Sequence, residues 1–367
     1  MGLKSALLKH ADSIIGPLLC ASLRHAQQKV EYRHLEELDA GPILVIRPGG
    51  IGDAIMLLPM LKVLREQCPS REIDILCESR NAEIFSIATP TSKVYTYDKA
   101  PFQTLRMLRK RKYAAVIDSE QFHNLSGVMA AITRAPMRIG YKINTNRLGL
   151  YTHLVSYDLD GPEDIQFGRL LSAALGRDIQ LPAKFKLLAP LFQKQASCNK
   201  KKRILIHVGG SVEAKRWPIE KYAYLCRELV REHQELELVL LGGKEDIAAA
   251  KMLTKACKDI PLINKCGYLS LYDVATEMTH STLLIGPDSG LAHLAAAAGL
   301  KAVVLFGPSD SRKWGPHPDC GIVVKQELPC QPCSIFGCVK PCTNCDCINT
   351  LPVDKVLEAT NMLLSQI

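Results

Sequence analysis

At 367 residues, with 47% hydrophobic and 23% charged residues, the chain exceeds one ordinary core and suits two packed domains of roughly 150 to 180 residues each. Its formal charge of +9 favours an anionic ligand or surface. Nucleic acid is not an expected partner, because the basic residues are scattered and no helix-turn-helix or RNA-binding signature accompanies them. No apolar run approaches the roughly eighteen residues of a membrane span, which predicts a cytoplasmic protein, at most peripheral on the cytoplasmic face of the inner membrane.

The first segment, 1–40, carries a helical pattern over 3–23 with Leu3, Leu7, Leu8, Ile14, Ile15, Leu18 and Leu19, and with Lys4, Lys9 and Arg24 nearby. Lys9, His10 and Asp12 break it as a signal peptide. Leu19 before Cys20 and Ala6 do not suit lipid attachment. The expected role is a helix packed on the first domain; the alternative is a helix lying on an anionic membrane surface.

From residue 43 a βαβ rhythm begins. The run 43–47 (ILVIR) reads as a strand, the turn Pro48 to Gly52 follows, and a helix is expected from Asp53 to about Gln67. Further strands are expected at 73–77 and 113–117. The rhythm pauses over 189–202 and resumes with 203–208, 236–242, 282–286 and 301–307. The expected fold is therefore α/β, with two Rossmann-like lobes, 41–190 and 200–367, facing a cleft, and a Cys-rich insert at 320–347.

Three constellations suit anion chemistry. Gly49-Gly50-Ile51-Gly52-Asp53 places glycines where backbone amides could approach a ligand; it fails the dinucleotide fingerprint at Ile55, although Glu78 stands where a ribose-binding acid would. Asp53 reads either as a general base or as a helix cap. Gly209-Gly210-Ser211 with Lys215-Arg216-Trp217-Pro218 puts two cations before a helix that Pro218 would open at its first position, a setting suited to pyrophosphate. In Gly286-Pro287-Asp288-Ser289-Gly290-Leu291-Ala292-His293 a strand ends and a helix begins, with free amides and a hydroxyl for phosphate. Asp158-Leu159-Asp160 does not suit a metal-binding acid pair, and no metal is expected in the chemistry.

Six of the fourteen cysteines fall between 330 and 347. In a reducing compartment such thiol density favours a structural Zn or Fe, with Cys330, Cys333, Cys338 and Cys347 as the expected ligands and Cys342 and Cys345 as extras.

Read together, RPGGIGDAIMLLPML (47–61), AKRWP, GPDSGLAHLAAAAG (286–299) and FGPSD (306–310) resemble glycosyltransferase family 9, the ADP-heptose:lipopolysaccharide heptosyltransferases, which have the GT-B fold. The resemblance implies Asp53 as the base taking the acceptor proton, and Lys215 as the group stabilising the departing diphosphate. Gly209, Gly210, Ser211, Lys215, Arg216, Glu245, Asp288, Ser289, Gly290 and His293 would bind an ADP-sugar. Gly50, Gly52, Glu120 and Gln121 would face the acceptor, a lipid-linked or surface glycan such as a lipopolysaccharide core. The N-terminal lobe would then serve the acceptor and the C-terminal lobe the donor, in an inverting transfer of heptose or a related sugar. The segment Asp118 to His123 and the Cys-rich insert depart from better-known relatives. Alternatives are a non-catalytic nucleotide-binding protein and a dinucleotide-dependent oxidoreductase.

Overall fold

The computed structural model describes residues 3–24, 32–89, 92–192, 202–210, 212–335, 338–339, 342 and 344–366. The chain divides into two units, Met1–Ala183 and Lys184–Ile367. Ser211 lies outside the described residues, as do Lys200, Lys201 and the side chain of Cys338.

The first unit opens with α1 (Leu3–Arg24) and continues through β1 (Ile43–Arg47), α2 (Ile51–Gln67), β2 (Ile73–Cys77), α3 (Ala82–Ala88) and β3 (Lys93–Thr96). Then follow α4 (Pro101–Lys110), β4 (Ala115–Asp118), α5 (Asn124–Ile132), β5 (Met137–Tyr141), β6 (His153–Val155) and α6 (Glu163–Leu175). Its six strands are all parallel, in the order β3-β2-β1-β4-β5-β6. Every residue of β1, β2, β4 and β5 is buried, as expected when helices cover both faces of a parallel sheet. Helix α2 is apolar nearly all round because it sits between neighbours, and it carries Pro59 within it.

On one face, Leu108 of α4 and Met129 and Ala130 of α5 pack on Leu44 and Ile46 of β1. Helix α1 continues that layer: Cys20 packs with Val128, Ala131 and Leu150. Asp12 accepts hydrogen bonds from the amides of Asn124 (3.0 Å) and Leu125 (2.7 Å), so a carboxylate from α1 caps the open end of α5. Gly16 lies against Asn124, where an added Cβ would approach the Asn124 Cβ to 2.5 Å. The expected packing of this helix on the first domain is thus what the structure contains.

The second unit runs α7 (Ala189–Phe192), β7 (Arg203–His207), α8 (Ile219–Glu232), β8 (Glu237–Leu241), α9 (Ile247–Ala256), β9 (Leu262–Asn264), α10 (Leu271–Thr279), β10 (Leu283–Pro287) and α11 (Gly290–Ala298). It ends with β11 (Ala302–Phe306), α12 (Ser311–Trp314), β12 (Gly321–Lys325), the short pair β13 (Ser334–Ile335) and β14 (Cys338–Val339), α13 (Asp346–Asn349) and α14 (Val353–Leu364). Its main sheet has the order β12-β11-β10-β7-β8-β9. Counted within each unit, both sheets follow 3-2-1-4-5-6, the doubly wound order. Residues preceding α7 belong with this unit: the amides of Lys186 and Leu188 bond the carbonyls of Ala296 and Ala297.

In such sheets the order in which strands are added reverses between the first and fourth strands, and ligands collect beyond their carboxyl ends. Those ends carry Pro48 to Asp53 and Ser119-Glu120-Gln121 in the first unit, and Val208-Gly209-Gly210 and Asp288-Ser289 in the second.

Candidate active-site groups of the two units

In the first unit, Gly49 takes φ +122°, where a Cβ would come within 2.6 Å of the Asp53 carboxylate. This lets the turn fold tightly onto Asp53. Asp53 Oδ2 accepts the Gly50 amide at 2.7 Å, and Asp53 Oδ1 accepts from Arg47 Nη2 at 2.9 Å. The capping reading of Asp53 is therefore correct in geometry, and it does not preclude a second role. The carboxylate occupies the start of its own helix, so this helix end is already filled by an anion.

Arg47 ends β1 and is 1% exposed. It also donates to the Ser119 carbonyl at 2.7 Å and lies 4.9 Å from the centre of the Phe167 ring. Burial works against its charge, but Asp53, Glu163 and Glu120 around it raise its pKa. Around this cation Glu120 and Gln121 are both buried. Glu120 accepts the amides of Phe122 (3.0 Å) and His123 (3.3 Å), while Gln121 donates to Glu163, which also accepts from Tyr157 Oη at 2.5 Å. Burial opposes the Glu120 charge, yet His123, Arg47 and the Phe122 amide hold its pKa below the usual range. Beneath them Arg147 and Asp118, both 0% exposed, form an ion pair at 3.1 Å that Tyr151 Oη joins at 2.6 Å from Asp118. Asp53 keeps 34% of its side chain open, so in this group of acids it is the one available to a ligand.

Glu78 accepts the Gly49 amide (3.3 Å), Arg80 (2.6 Å) and Tyr97 (3.1 Å). Its carboxylate supports the turn.

In the second unit, Gly210 has φ +153°. Trp217 is buried, donates to the Leu351 carbonyl at 3.0 Å and packs edge-on against Tyr222, whose hydroxyl donates to the His207 carbonyl at 3.0 Å. This anchor fixes the loop that carries Lys215. Pro218 is the N-cap of α8 with an extended ψ of 138° and not its first helical residue, which is Ile219. Lys215 Nζ meets Asp288 Oδ2 at 2.6 Å, and Arg216 donates through Nε and Nη2 to the Gly210 carbonyl.

Helix α11 begins at Gly290 with Ser289 as its N-cap. The Ser289 side chain makes no capping bond, and the first turn holds no acid. The amides at this helix end are thus not occupied by a side chain. Ser289 Oγ instead lies 3.2 Å from His207 Nδ1, and His207 Nε2 lies 3.3 Å from Asp246 Oδ2. Burial disfavours the Asp246 carboxylate, but His207 and the amides of Gly243 and Gly210 keep its pKa below the usual range. An ionised Asp246 requires the proton on His207 Nε2. The Asp246 carboxylate fills the space beside Gly209, where a Cβ would approach within 1.9 Å of it.

His293, on α11, is buried and its Nδ1 lies 3.2 Å from Lys184 Nζ. Burial first, then the charges of Lys184 and Lys215, push its pKa well below the ordinary value, so it is neutral at pH 7. Lys184, Asp288, His293 and Trp314 line a small recess. Glu245 is exposed at the first turn after β8, next to buried Asp246.

The structure therefore brings Gly209, Gly210, Lys215, Arg216, Asp288, Ser289, Gly290 and His293 around the switch point of the second sheet. Gly50, Gly52, Asp53, Glu120 and Gln121 gather at that of the first. Arg47, Glu163, His207 and Asp246 escaped the sequence reading. Their signals were present: a cation ends the apolar run 43–47, and a histidine stands in RILIHV just before the glycine turn.

Of the expected thiol tetrad, the side chain of Cys338 lies outside the described residues. Cys330, Cys333, Cys342 and Cys345 lie near enough to Cys347 that, after burial, their charges help push its thiol up to about 11. The Cys345 amide donates to Cys342 Sγ at 3.3 Å. Soft sulfur donors at C-x-x-C spacing suit Zn or Fe. Among the described residues, however, no three His, Cys, Asp or Glu side chains converge as metal ligands. No step of the chemistry is routed through an ion.

Two doubly wound units of identical strand order, one holding a half-buried carboxylate and the other a lysine beside an open helix start, have the architecture of the GT-B class, and the family match that follows makes the chain a glycosyltransferase. Residues 102–343 match the model of glycosyltransferase family 9 (heptosyltransferase), and the chain belongs to that family. This sets aside the oxidoreductase alternative. The chain is 27% identical over 295 residues to lipopolysaccharide heptosyltransferase 1 of Campylobacter coli, covering 73% of this chain and 84% of that protein. Its fold is similar to that of a family 9 glycosyl transferase from Veillonella parvula, with TM-score 0.71, 21% identity and coverage of 90% and 99%. It is also similar to E. coli heptosyltransferase WaaC solved with ADP, with TM-score 0.69, 18% identity and coverage of 88% and 99%. Among the described residues no helix is long and apolar enough to cross a membrane.

Proposed function

We propose that the protein transfers a heptose from an ADP-sugar, with inversion at the anomeric carbon, to a hydroxyl of a lipopolysaccharide core or a related lipid-borne glycan. The observation that carries this reading is the difference between two helix starts. That of α2 is filled by the Asp53 carboxylate, whereas that of α11 is open beside Lys215 and Ser289. The donor diphosphate would take the open one, because free amides and an ammonium group favour an anion there.

Asp53, held by Arg47 and the Gly50 amide, would accept the proton of the attacking hydroxyl. As the bond to the diphosphate breaks, its charge would be received by Lys215 and the α11 amides. Asp288 positions the Lys215 ammonium, and the Asp246–His207 pair positions the Ser289 hydroxyl. Glu120 and Gln121 would shape the acceptor side through backbone and packing, since their polar atoms already have internal partners. The donor and acceptor classes are those in the names of the relatives: lipopolysaccharide for the Campylobacter protein, ADP for the WaaC structure. A lipid-borne acceptor would bring the enzyme to a cytoplasmic membrane face.

The test is thermal stabilisation of the purified protein by ADP, GDP, UDP, NAD and ADP-heptose. ADP and ADP-heptose are expected to raise the melting temperature most. A preference for GDP, UDP or NAD overturns the donor assignment.

A further inference from the structure

Asp246 after β8, His207 at the end of β7 and Ser289 at the cap of α11 form a line of side chains that runs from the interior to the open helix start. Asp246 and His207 are buried and Ser289 is half-buried. Asp246 Oδ2 stands 3.3 Å from His207 Nε2, and His207 Nδ1 stands 3.2 Å from Ser289 Oγ. Burial opposes the Asp246 charge, but His207 and the amides of Gly243 and Gly210 hold the carboxyl below its usual range, so Asp246 only accepts. The proton of that first contact is therefore on Nε2. With no second ring proton, Nδ1 is an acceptor, and Ser289 must give it its one hydroxyl proton. Ser289 then turns only oxygen lone pairs toward the helix start. A phosphate oxygen at the α11 amides would meet those lone pairs and not a donor.

Turning the hydroxyl toward the phosphate instead would leave buried Nδ1 without a partner. A second ring proton removes the conflict. Nδ1–H then donates to Ser289 Oγ, the hydroxyl proton goes to the phosphate oxygen, and Asp246 is in place as the counter-charge of the imidazolium. The other titratable groups around His207 are engaged in other contacts or held in one state. Lys215 pairs with Asp288 at 2.6 Å, Arg216 is turned to the Gly210 carbonyl, and the Tyr222 hydroxyl donates to the His207 carbonyl. Burial, Asp246 and Glu245 push the Cys266 thiol up to about 11, and His293 of α11 is held neutral by burial and by Lys184 and Lys215. We propose that the donor diphosphate binds at α11 with uptake of one proton by His207, whose Nδ1 then donates to Ser289 Oγ while Ser289 donates to the phosphate. His207 is thus a positioning residue that acts through Ser289, and it releases the proton when the diphosphate leaves. This rests on the proposed donor site and adds a proton to its occupancy.

The experiment is calorimetric titration of the full chain with ADP between about pH 7.5 and 9, above the range in which a terminal phosphate itself titrates (roughly pH 6), in two buffers of different ionisation enthalpy. Uptake of one proton makes ADP affinity fall as pH rises, by up to about tenfold per pH unit, and makes the observed heat differ between the buffers. Ser289→Ala removes the hydroxyl relay and should bind ADP more weakly, with an affinity nearly independent of pH. Ser289 makes no capping bond, so this variant is expected to fold as the parent does, checked by circular dichroism. His207→Asn, whose amide can donate to Ser289 without taking up a proton, should likewise bind ADP without a buffer-dependent heat. A parent affinity that does not change with pH, equal heats in the two buffers, or a pH slope that survives in either variant overturns the inference. ADP binding without proton uptake overturns the inference alone; no ADP binding at any pH overturns the donor assignment and the inference with it.

Discussion

The starts of α2 and α11 come from the same construction, a buried parallel strand, a tight turn and a helix, at the same place in two sheets of the same order. They end up chemically opposite. At α2 a tight turn with Gly49 at φ +122° lets Asp53 fold back, so the helix end is satisfied from within and the carboxylate is presented outward. At α11 the residue in the capping position turns its hydroxyl to His207, and no acid occupies the first turn. One helix end holds a carboxylate; its counterpart has no acid in its first turn. The lesson is that a strand–turn–helix junction acquires its function from which side chain fills the helix start.

Replacing the filler is the strongest test of that contrast. Asp53→Ala should lower turnover by about 10²- to 10⁴-fold, the range of a lost general base, while isothermal titration shows ADP affinity unchanged. It should also cost about 1 kcal/mol of stability, as loss of a cap does. Retained turnover would reduce Asp53 to a capping residue.

On the other side, Lys215→Met should weaken ADP binding by about tenfold to a hundredfold, the worth of a hydrogen bond to a charged group. Because buried Asp288 then loses its ion-pair partner, the variant Lys215→Met/Asp288→Asn separates donor affinity from stability: affinity should stay low while the melting temperature recovers.

Filling the open end is the converse experiment. Ser289→Asp would place at α11 the kind of group that α2 already has. ADP affinity should fall about tenfold or more, since a fixed carboxylate competes for the amides that would hold phosphate. Stability should hold or rise by a few tenths of a kcal/mol. Unimpaired ADP binding in this variant would move the donor phosphate elsewhere.

The smallest effect is one of pH. His293 is neutral in the folded protein because burial, with Lys184 and Lys215, depresses its pKa, whereas the unfolded chain protonates it near 6.5. Below that pH the unfolded state binds the extra proton, so stability falls as pH drops. His293→Gln should flatten the decline in melting temperature between pH 7 and 5; an unchanged slope would mean that His293 is charged in the fold.

Much of this could be read along the chain. The run 43–47 is β1, the helix 219–232 is α8, and the apolar cores of the later strands fall within the runs that predict them, because strands buried on both faces must be continuous apolar stretches. The glycine turns at 48–52 and 209–210 and the Asp288-Ser289-Gly290 junction were legible as strand–turn–helix boundaries because each follows directly on an apolar run and precedes a helical pattern. Arg47 was not, since one cation at the end of an apolar run does not announce that it will be buried against nearby Asp53 and against Glu120 and Glu163 from two distant segments. Nor was the choice between Glu245 and Asp246, adjacent acids of which the fold buries the second against His207.

Sequence by itself determined the two α/β units and, through the motifs over 47–61, 286–299 and 306–310, the family, because strands buried on both faces are continuous apolar runs and glycine turns are local. Only the tertiary structure decided that Glu163 and Glu120 close around Arg47, that His207 lies between Ser289 and Asp246, and that Asp246 rather than Glu245 is the buried acid. Those are facts of approach between segments far apart in the chain, and no local pattern encodes a distance.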